Sequence, residues 1–339
     1  MADPTIAVPD QHGRLYGETV AAPVRRRAAY HPVTVHALLP ETVLGFQVYI
    51  RLGDRSVLTH GEAETFTAAR RERLLELKQT TVFVRTGDLK KFHTYLEQHL
   101  PVILHGRCLN AEAKAQLVYS SARAITQEIL AQPEDPRVLE RSRRVADATV
   151  EFLLSGKESF LTLMATCSFD YRTYTHSVNV SIFSVALAQK LGFSTEDLLE
   201  IGTSAIVHDI GKTRISPAIL NKPSPLNESE WRIMKRHPEW GVEVLKSHSE
   251  LTPRMERIVR NHHEKLDGSG YPDGLHLGEI DPVLRIVTIC DIFDALTTNR
   301  AYKGALSTYE TLQLMRREMK GQVDFDVLKN LIQLLKREE

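Results

Sequence analysis

The chain has 339 residues, 42% of them apolar, which is more than one ordinary domain needs, so two domains are expected. Lysine plus arginine and aspartate plus glutamate balance at 43 each, which removes any global field for a nucleic-acid polymer or a membrane surface and leaves anionic ligands to be held locally. Three scattered cysteines, Cys108, Cys167 and Cys290, make no disulfide framework, no apolar run is long enough for a bilayer, and the start lacks a signal-peptide pattern, so a cytoplasmic protein is expected.

Residues 1–31 are expected to be a flexible tail, with Pro4, Pro9, Pro23 and the basic cluster Arg25–Arg27. A small α/β accessory or regulatory domain is expected over 32–104. Its strand candidates are 45–52 and 80–85; its helix candidates are 66–77, capped by Thr67, and 89–100, ending near Pro101. His93 and His99 are expected on that helix's surface, and no ligand motif stands out. Residues 105–165 read as a helical connector broken near Pro133–Pro136, with 138–154 suited to a connector or dimer helix. A fragment starting near 105 is expected to fold alone. From 166 to 339 the helix candidates are 175–192, 194–209 with a capping signal, 228–247, 253–264 and 282–298. Pro217, Pro223 and Pro225 mark a surface loop, and a Gly/Pro-rich loop spans 268–278.

Two motifs in this last region carry chemistry. H-D-I-G-K runs from His208 to Lys212, and H-H-E-x-x-D-G-x-G-Y-P from His262 to Pro272. Adjacent His-Asp and His-His pairs can turn imidazole and carboxylate toward a common centre, a donor mix that zinc, iron, manganese and nickel accept. His176 in Y-T-H-S, His237 in K-R-H-P and Asp291 in I-C-D-I-F-D add donors elsewhere. With His208, Asp209, His262 and His263 they make five imidazoles and two carboxylates, about the number that two ions with open positions need. If Asp209 bridges, one ion takes His176, His208 and Asp291, and the other His237, His262 and His263. Lys212, one turn beyond His208, suits stabilising negative charge or protonating a leaving oxygen. Cys290, beside Asp291, is expected to be a small core residue. His31, His36, His60, His105, His248 and His276 have no partners at ligand spacing.

Residues from about 176 to 303 resemble an HD-GYP domain, a subfamily of the HD-domain metal-dependent phosphohydrolases. The resemblance rests on H-S at 176, H-D-I-G-K at 208, L-N-K-P-S-P-L at 220, R-H-P-E-x-G at 236, H-H-E-K-L-D-G-S-G-Y-P-D-G at 262 and D-I-F-D-A-L-T-x-x-R-x-Y-K at 291. It implies a mainly α fold, with an HD-type helical bundle following the small α/β domain. It implies metal-dependent hydrolysis of cyclic di-GMP, a bacterial second messenger, to linear pGpG, with onward cleavage to GMP left open. Asp209 and Lys212 would be catalytic, and Lys212, Tyr271, Asp294, Arg300 and Lys303 would meet the substrate. Two divalent ions are implied, iron or manganese. Some relatives place a third-metal glutamate one turn before the first ligand histidine; here Arg172 stands there, and a cation disfavours another cation. A catalytically weak cyclic di-GMP receptor or scaffold and a hydrolase of another nucleotide are the alternatives. A homodimer and signalling-protein partners fit the same resemblance.

Overall fold

The computed structural model describes residues 29–106, 108–156, 158–168, 172–298 and 305–336, with the backbone of 8–9 and 15–16. Those last two pairs form a short antiparallel ladder inside the expected tail. Four antiparallel strands then form a sheet in the order Tyr30–Thr34, Thr81–Arg85, Val48–Leu52, Arg55–His60. Its first strand begins before the boundary read at 31. In T-V-F-V-R the alternation puts Val82 and Val84 fully inside, as a half-buried strand requires. Helix α1 (Ala68–Glu76) starts where Thr67 accepts the Arg70 amide, and helix α2 (Leu89–His105) packs behind the sheet.

Helix α2 crosses the domain boundary expected at 104. It runs through Pro101 to His105 and serves two cores. Phe92, Tyr95 and Leu96 belong to the core under the sheet, whereas Leu100 and Leu104 belong to the large helical core. His93 and His99, expected on its surface, are half-buried. Its buried Glu97 carboxylate meets Arg141 at 3.0 Å and Arg144 at 3.3 Å. Fully burying a leucine is worth about 1.5–3 kcal/mol. A fragment starting at 105 is therefore expected to lose about 3–6 kcal/mol of bundle stability, a large part of an ordinary domain's margin. One starting at 86 should keep that packing. Denaturant titrations of both fragments beside the full chain check this; equal midpoints would restore the boundary at 105.

The connector belongs to the bundle. Helices α3 (Ala111–Ala131), α4 (Val138–Leu154) and α5 (Ser159–Thr166) follow one another, with a break at 132–137 after α3 and Gly156 just past the end of α4. The apolar face of α4 is spent inside its own chain, with Val138, Leu139, Val145 and Phe152 in the common core. It is a core helix and not a free dimer surface. Helix α6 (Thr173–Lys190) is buried on almost every face from Thr175 to Ala188, as its lack of a polar stripe implies. It lies at the centre, against α7 (Thr195–Val207) and α12 (Pro282–Thr297). Ser194 and Asp197 form the capping box that starts α7.

The helix expected over 228–247 is two helices, after the single turn α8 (Pro217–Leu220). Helix α9 (Glu228–Met234) stops, and α10 (His237–Leu245) begins after two intervening residues, with Pro238 in its first turn. Proline lacks an N–H and its ring clashes with the carbonyl four residues back, so it sits best in the first turn of a helix, where Pro238 opens α10. Helices α11 (Pro253–Asn261), α13 (Thr308–Glu318) and α14 (Phe325–Leu335) close the bundle. Among the described residues no helix is long and apolar enough to cross a membrane.

Candidate active site

Helix ends deliver most of the donors. His208 caps the C-terminus of α7, and Asp209 opens the short 3-10 turn Ile210–Arg214 that holds Lys212. His237 is the first residue of α10, His262 caps α11, and His263 follows it. His176 and Asp291 come from the interiors of α6 and α12. The glycine of H-D-I-G-K has a packing reason. A Cβ on Gly211 would collide with the His237 carbonyl oxygen and the Gly241 amide, so only glycine lets the turn press against α10 and set His237 over Asp209.

Seven donors converge. His237 Nε2 is 3.2 Å and His262 Nε2 3.8 Å from Asp209 Oδ1; His176 Nε2 is 3.6 Å and His208 Nε2 3.5 Å from Asp209 Oδ2. Asp291 lies 3.0 Å from His176 and 3.4 Å from His263. Two donor groups result, Asp209 with His237, His262 and His263, and Asp209 with His176 and His208, each with its donor atoms within 4.8 Å of one another. Asp209 is common to both. Cys290 is fully buried and lies in neither group; burial pushes its thiol up to about 12.

The donors have the form that a cation needs. His208, His237 and His262 each donate Nδ1–H to a backbone carbonyl, of Ala205, Met234 and Val259, at 2.6, 2.8 and 2.9 Å. A carbonyl only accepts, so Nδ1 carries a proton, and in the neutral ring the bare Nε2 faces inward. Burial lowers the His208 and His262 rings, His262 well below the ordinary value, and takes His263 to about 3. Burial would raise both carboxylates, yet they stay well below the usual range. Lys212 and His208 act on Asp209, and His176 and His263 act on Asp291. Neutral imidazoles beside ionised carboxylates are the metal-binding protonation states.

Two observations show that a cation fits. His237 Nε2 and His262 Nε2 face each other at 3.2 Å, so in their Nδ1–H forms both aim a lone pair into one small space, which a shared cation would fill. Among the described residues His208 Nε2 and Asp209 Oδ1 are buried with no hydrogen-bond partner, an expensive state unless a ligand satisfies them.

Surrounding groups fix these donors. Asp294, expected at the substrate, is fully buried: Oδ2 accepts from His176 Nδ1 at 2.6 Å and Oδ1 from Asn179 Nδ2 at 2.8 Å. Asp294 thus holds the His176 ring and is not among the residues that line the cavity beside the centre. Asn179 in turn accepts from the Tyr119 hydroxyl of α3 at 3.0 Å. Sequence reasoning passed over Asn179 and Tyr119; the available signal was an amide in the middle of an apolar helix. Glu264, also passed over, is buried and takes the amides of Asp273, Gly274 and Leu275 at 2.6–3.0 Å. It holds the G-Y-P loop. A Cβ on Gly270 would run into the Glu264–Lys265 backbone, so the loop lies flat against the His pair. Tyr271 thereby meets the His263 ring, with centroids 4.8 Å apart.

The centre opens into a cavity of about 1010 Å³ lined by Lys212, His237, His263, Tyr271 and Asp291, with Arg172, Ile219, Leu226, Trp231 and Leu296 around them. Lys212 Nζ lies 2.5 Å from Asp209 Oδ2. Arg300 and Lys303, expected to grip substrate, lie outside the described residues.

Comparison with known proteins agrees with this geometry. Residues 127–327, more than half of the chain, match the family model described as HD domain. The 3′3′-cGAMP-specific phosphodiesterase 3 of Vibrio cholerae is 38% identical over 168 residues, 48% of this chain and 36% of that protein. A cyclic di-GMP phosphodiesterase of Pseudomonas aeruginosa is 33% identical over 180 residues, 53% of this chain and 43% of that one. A cyclic di-GMP phosphodiesterase response regulator of Xanthomonas campestris is 36% identical over 212 residues, 60% of this chain and 51% of that one. The chain thus spans about half, or less, of the length of these relatives. An HDG"Y"P protein from Bdellovibrio bacteriovorus shares the fold, with a TM-score of 0.64 over 91% of this chain and all of that one at 23% identity. The family match begins inside α3 and takes in the whole ligand set. The chain belongs to the HD-domain family.

Proposed function

We propose that this protein is a metal-dependent phosphodiesterase that hydrolyses cyclic di-GMP to linear pGpG. The observation that carries the reading is Asp209, shared by two donor groups beneath a cavity that Lys212 also lines. His176, His208 and Asp291 would hold one ion and His237, His262 and His263 the other, with Asp209 between them. Iron and manganese suit this donor mix. Bound ions supply Lewis-acid activation of water and neutralise charge on phosphate. Relatives that act on cyclic di-GMP and on 3′3′-cGAMP both support a cyclic dinucleotide as the substrate class.

The chain's own groups supply the rest. Hydrolysis adds the oxygen of water to phosphorus, breaks one P–O ester bond and returns a proton to the leaving oxygen. Lys212 Nζ, at the cavity floor, carries the charge and the proton for that oxygen. The apolar walls around Ile219, Leu226 and Leu296 keep bulk water off the ester. Arg300 and Lys303, by their place in the D-A-L-T-x-x-R-x-Y-K motif, grip guanine or phosphate.

Metal-loaded protein assayed in parallel on cyclic di-GMP and 3′3′-cGAMP tests the reading, with pGpG expected from the first. Tight binding without product would make the protein a receptor. Lys212→Ala is expected to lower kcat by about 10²–10⁴-fold, the usual range for a positioned proton donor, while keeping its metal. Unchanged kcat at full loading would remove Lys212 from the chemistry.

A further inference from the structure

One wall of the cavity takes no part in the metal and phosphate chemistry. Trp231, on α9, is 46% exposed, and among the described residues it is the one large exposed hydrophobic side chain that lines the cavity. Its place is fixed. Asn227 caps α9 by accepting the Glu230 amide, and the neighbouring Glu230 carboxylate is tied to Lys222 at 2.6 Å. The α8–α9 segment therefore presents the indole on a short, braced helix and not on a loose loop.

Tyr174 and Tyr271 also line the cavity, and the Tyr271 ring already meets His263. Lys235 Nζ lies 5.9 Å from the Trp231 ring and 5.3 Å from the Tyr271 ring, a cation–π arrangement. Lys235 does not line the cavity, so the indole has other surface to offer there. Near 1010 Å³ the cavity is at the upper end of the usual range for ligand sites, which leaves room for a base beyond the phosphate that the metal donors would engage. An exposed, rigidly mounted indole on such a wall suits a flat, weakly polar partner with a π-face.

We propose that Trp231 is the stacking platform for one purine base of the cyclic dinucleotide. This rests on the phosphodiesterase reading of the same site. Stacking is nearly blind to base identity, because every base has a π-face. Trp231 would therefore set affinity and leave the choice between guanine and adenine to hydrogen-bonding groups.

The test uses the metal-loaded full chain. Trp231→Ala should raise KM about 5- to 150-fold, the usual worth of one aromatic–base stack, by a similar factor for cyclic di-GMP and 3′3′-cGAMP, with kcat little changed. Trp231→Phe should recover most of the loss. Trp231 and Trp240 are the only tryptophans, so Trp240→Phe leaves Trp231 as the sole reporter. On rapid mixing of that variant with cyclic di-GMP, its indole emission should fall before product forms. Wild-type KM in Trp231→Ala, or emission unmoved by a dinucleotide that is being hydrolysed, overturns the proposal. If the wild type hydrolyses neither dinucleotide, the phosphodiesterase reading itself fails.

Discussion

Asp209→Ala is expected to lose metal and turnover together. Its carboxylate is the only donor common to both groups, and it is fully buried beside His237, His176, His208 and Lys212. Removing even a supporting partner of a metal ligand typically costs 10–100-fold in affinity or activity, so a shared ligand should cost at least about 100-fold. Asp209→Asn, nearly isosteric, separates loss of the ligand charge from loss of the fold. His176→Ala makes the contrast. It touches one group only and should leave the His237, His262 and His263 side loaded. Metal content per chain read beside kcat decides the matter: Asp209→Ala near zero, His176→Ala near half. Full metal with wild-type turnover in Asp209→Ala would remove it from the centre.

Asp294→Asn should weaken metal binding about 10–100-fold without changing KM at saturating metal. The carboxylate takes His176 Nδ1–H with one oxygen and Asn179 Nδ2 with the other. Its replacement turns one acceptor into a donor, so a donor faces either His176 or Asn179. The imidazole then loses the partner that fixes its tautomer and orientation. Asn179→Leu, which leaves Asp294 in place, should move metal affinity in the same direction by less. Competition against a chelator measures both, with circular dichroism as the check on the fold. A raised KM with unaltered metal affinity would return Asp294 to the substrate.

How much of this could be read beforehand follows from the range of each interaction. Donor type is a property of single residues, and Asp209, His262 and the other candidate ligands stood out because imidazole and carboxylate in such pairs serve no helix-packing need. Helix starts are also local. Thr67 and Ser194 cap the helices that follow them, and Pro238 stands in the first turn of α10. That α2 crosses the boundary expected near 104 was not legible, for the opposite reason. The two apolar faces of α2 serve different cores, and periodicity along one helix does not say what each face meets.

The amino-acid sequence by itself determined the inventory of donors, the helical class of the larger part and the family, because residue chemistry and motif order are written along the chain. Only the tertiary structure decided that Asp209 lies between two donor groups, that Asp294 points at His176 and away from the cavity, that Glu264 pins the loop under Tyr271, and that Trp231 stands on the cavity wall. Each of these depends on where elements far apart in the chain cross. Those crossings are set by close packing, as where Gly211 meets α10, and not by the pattern within any one element.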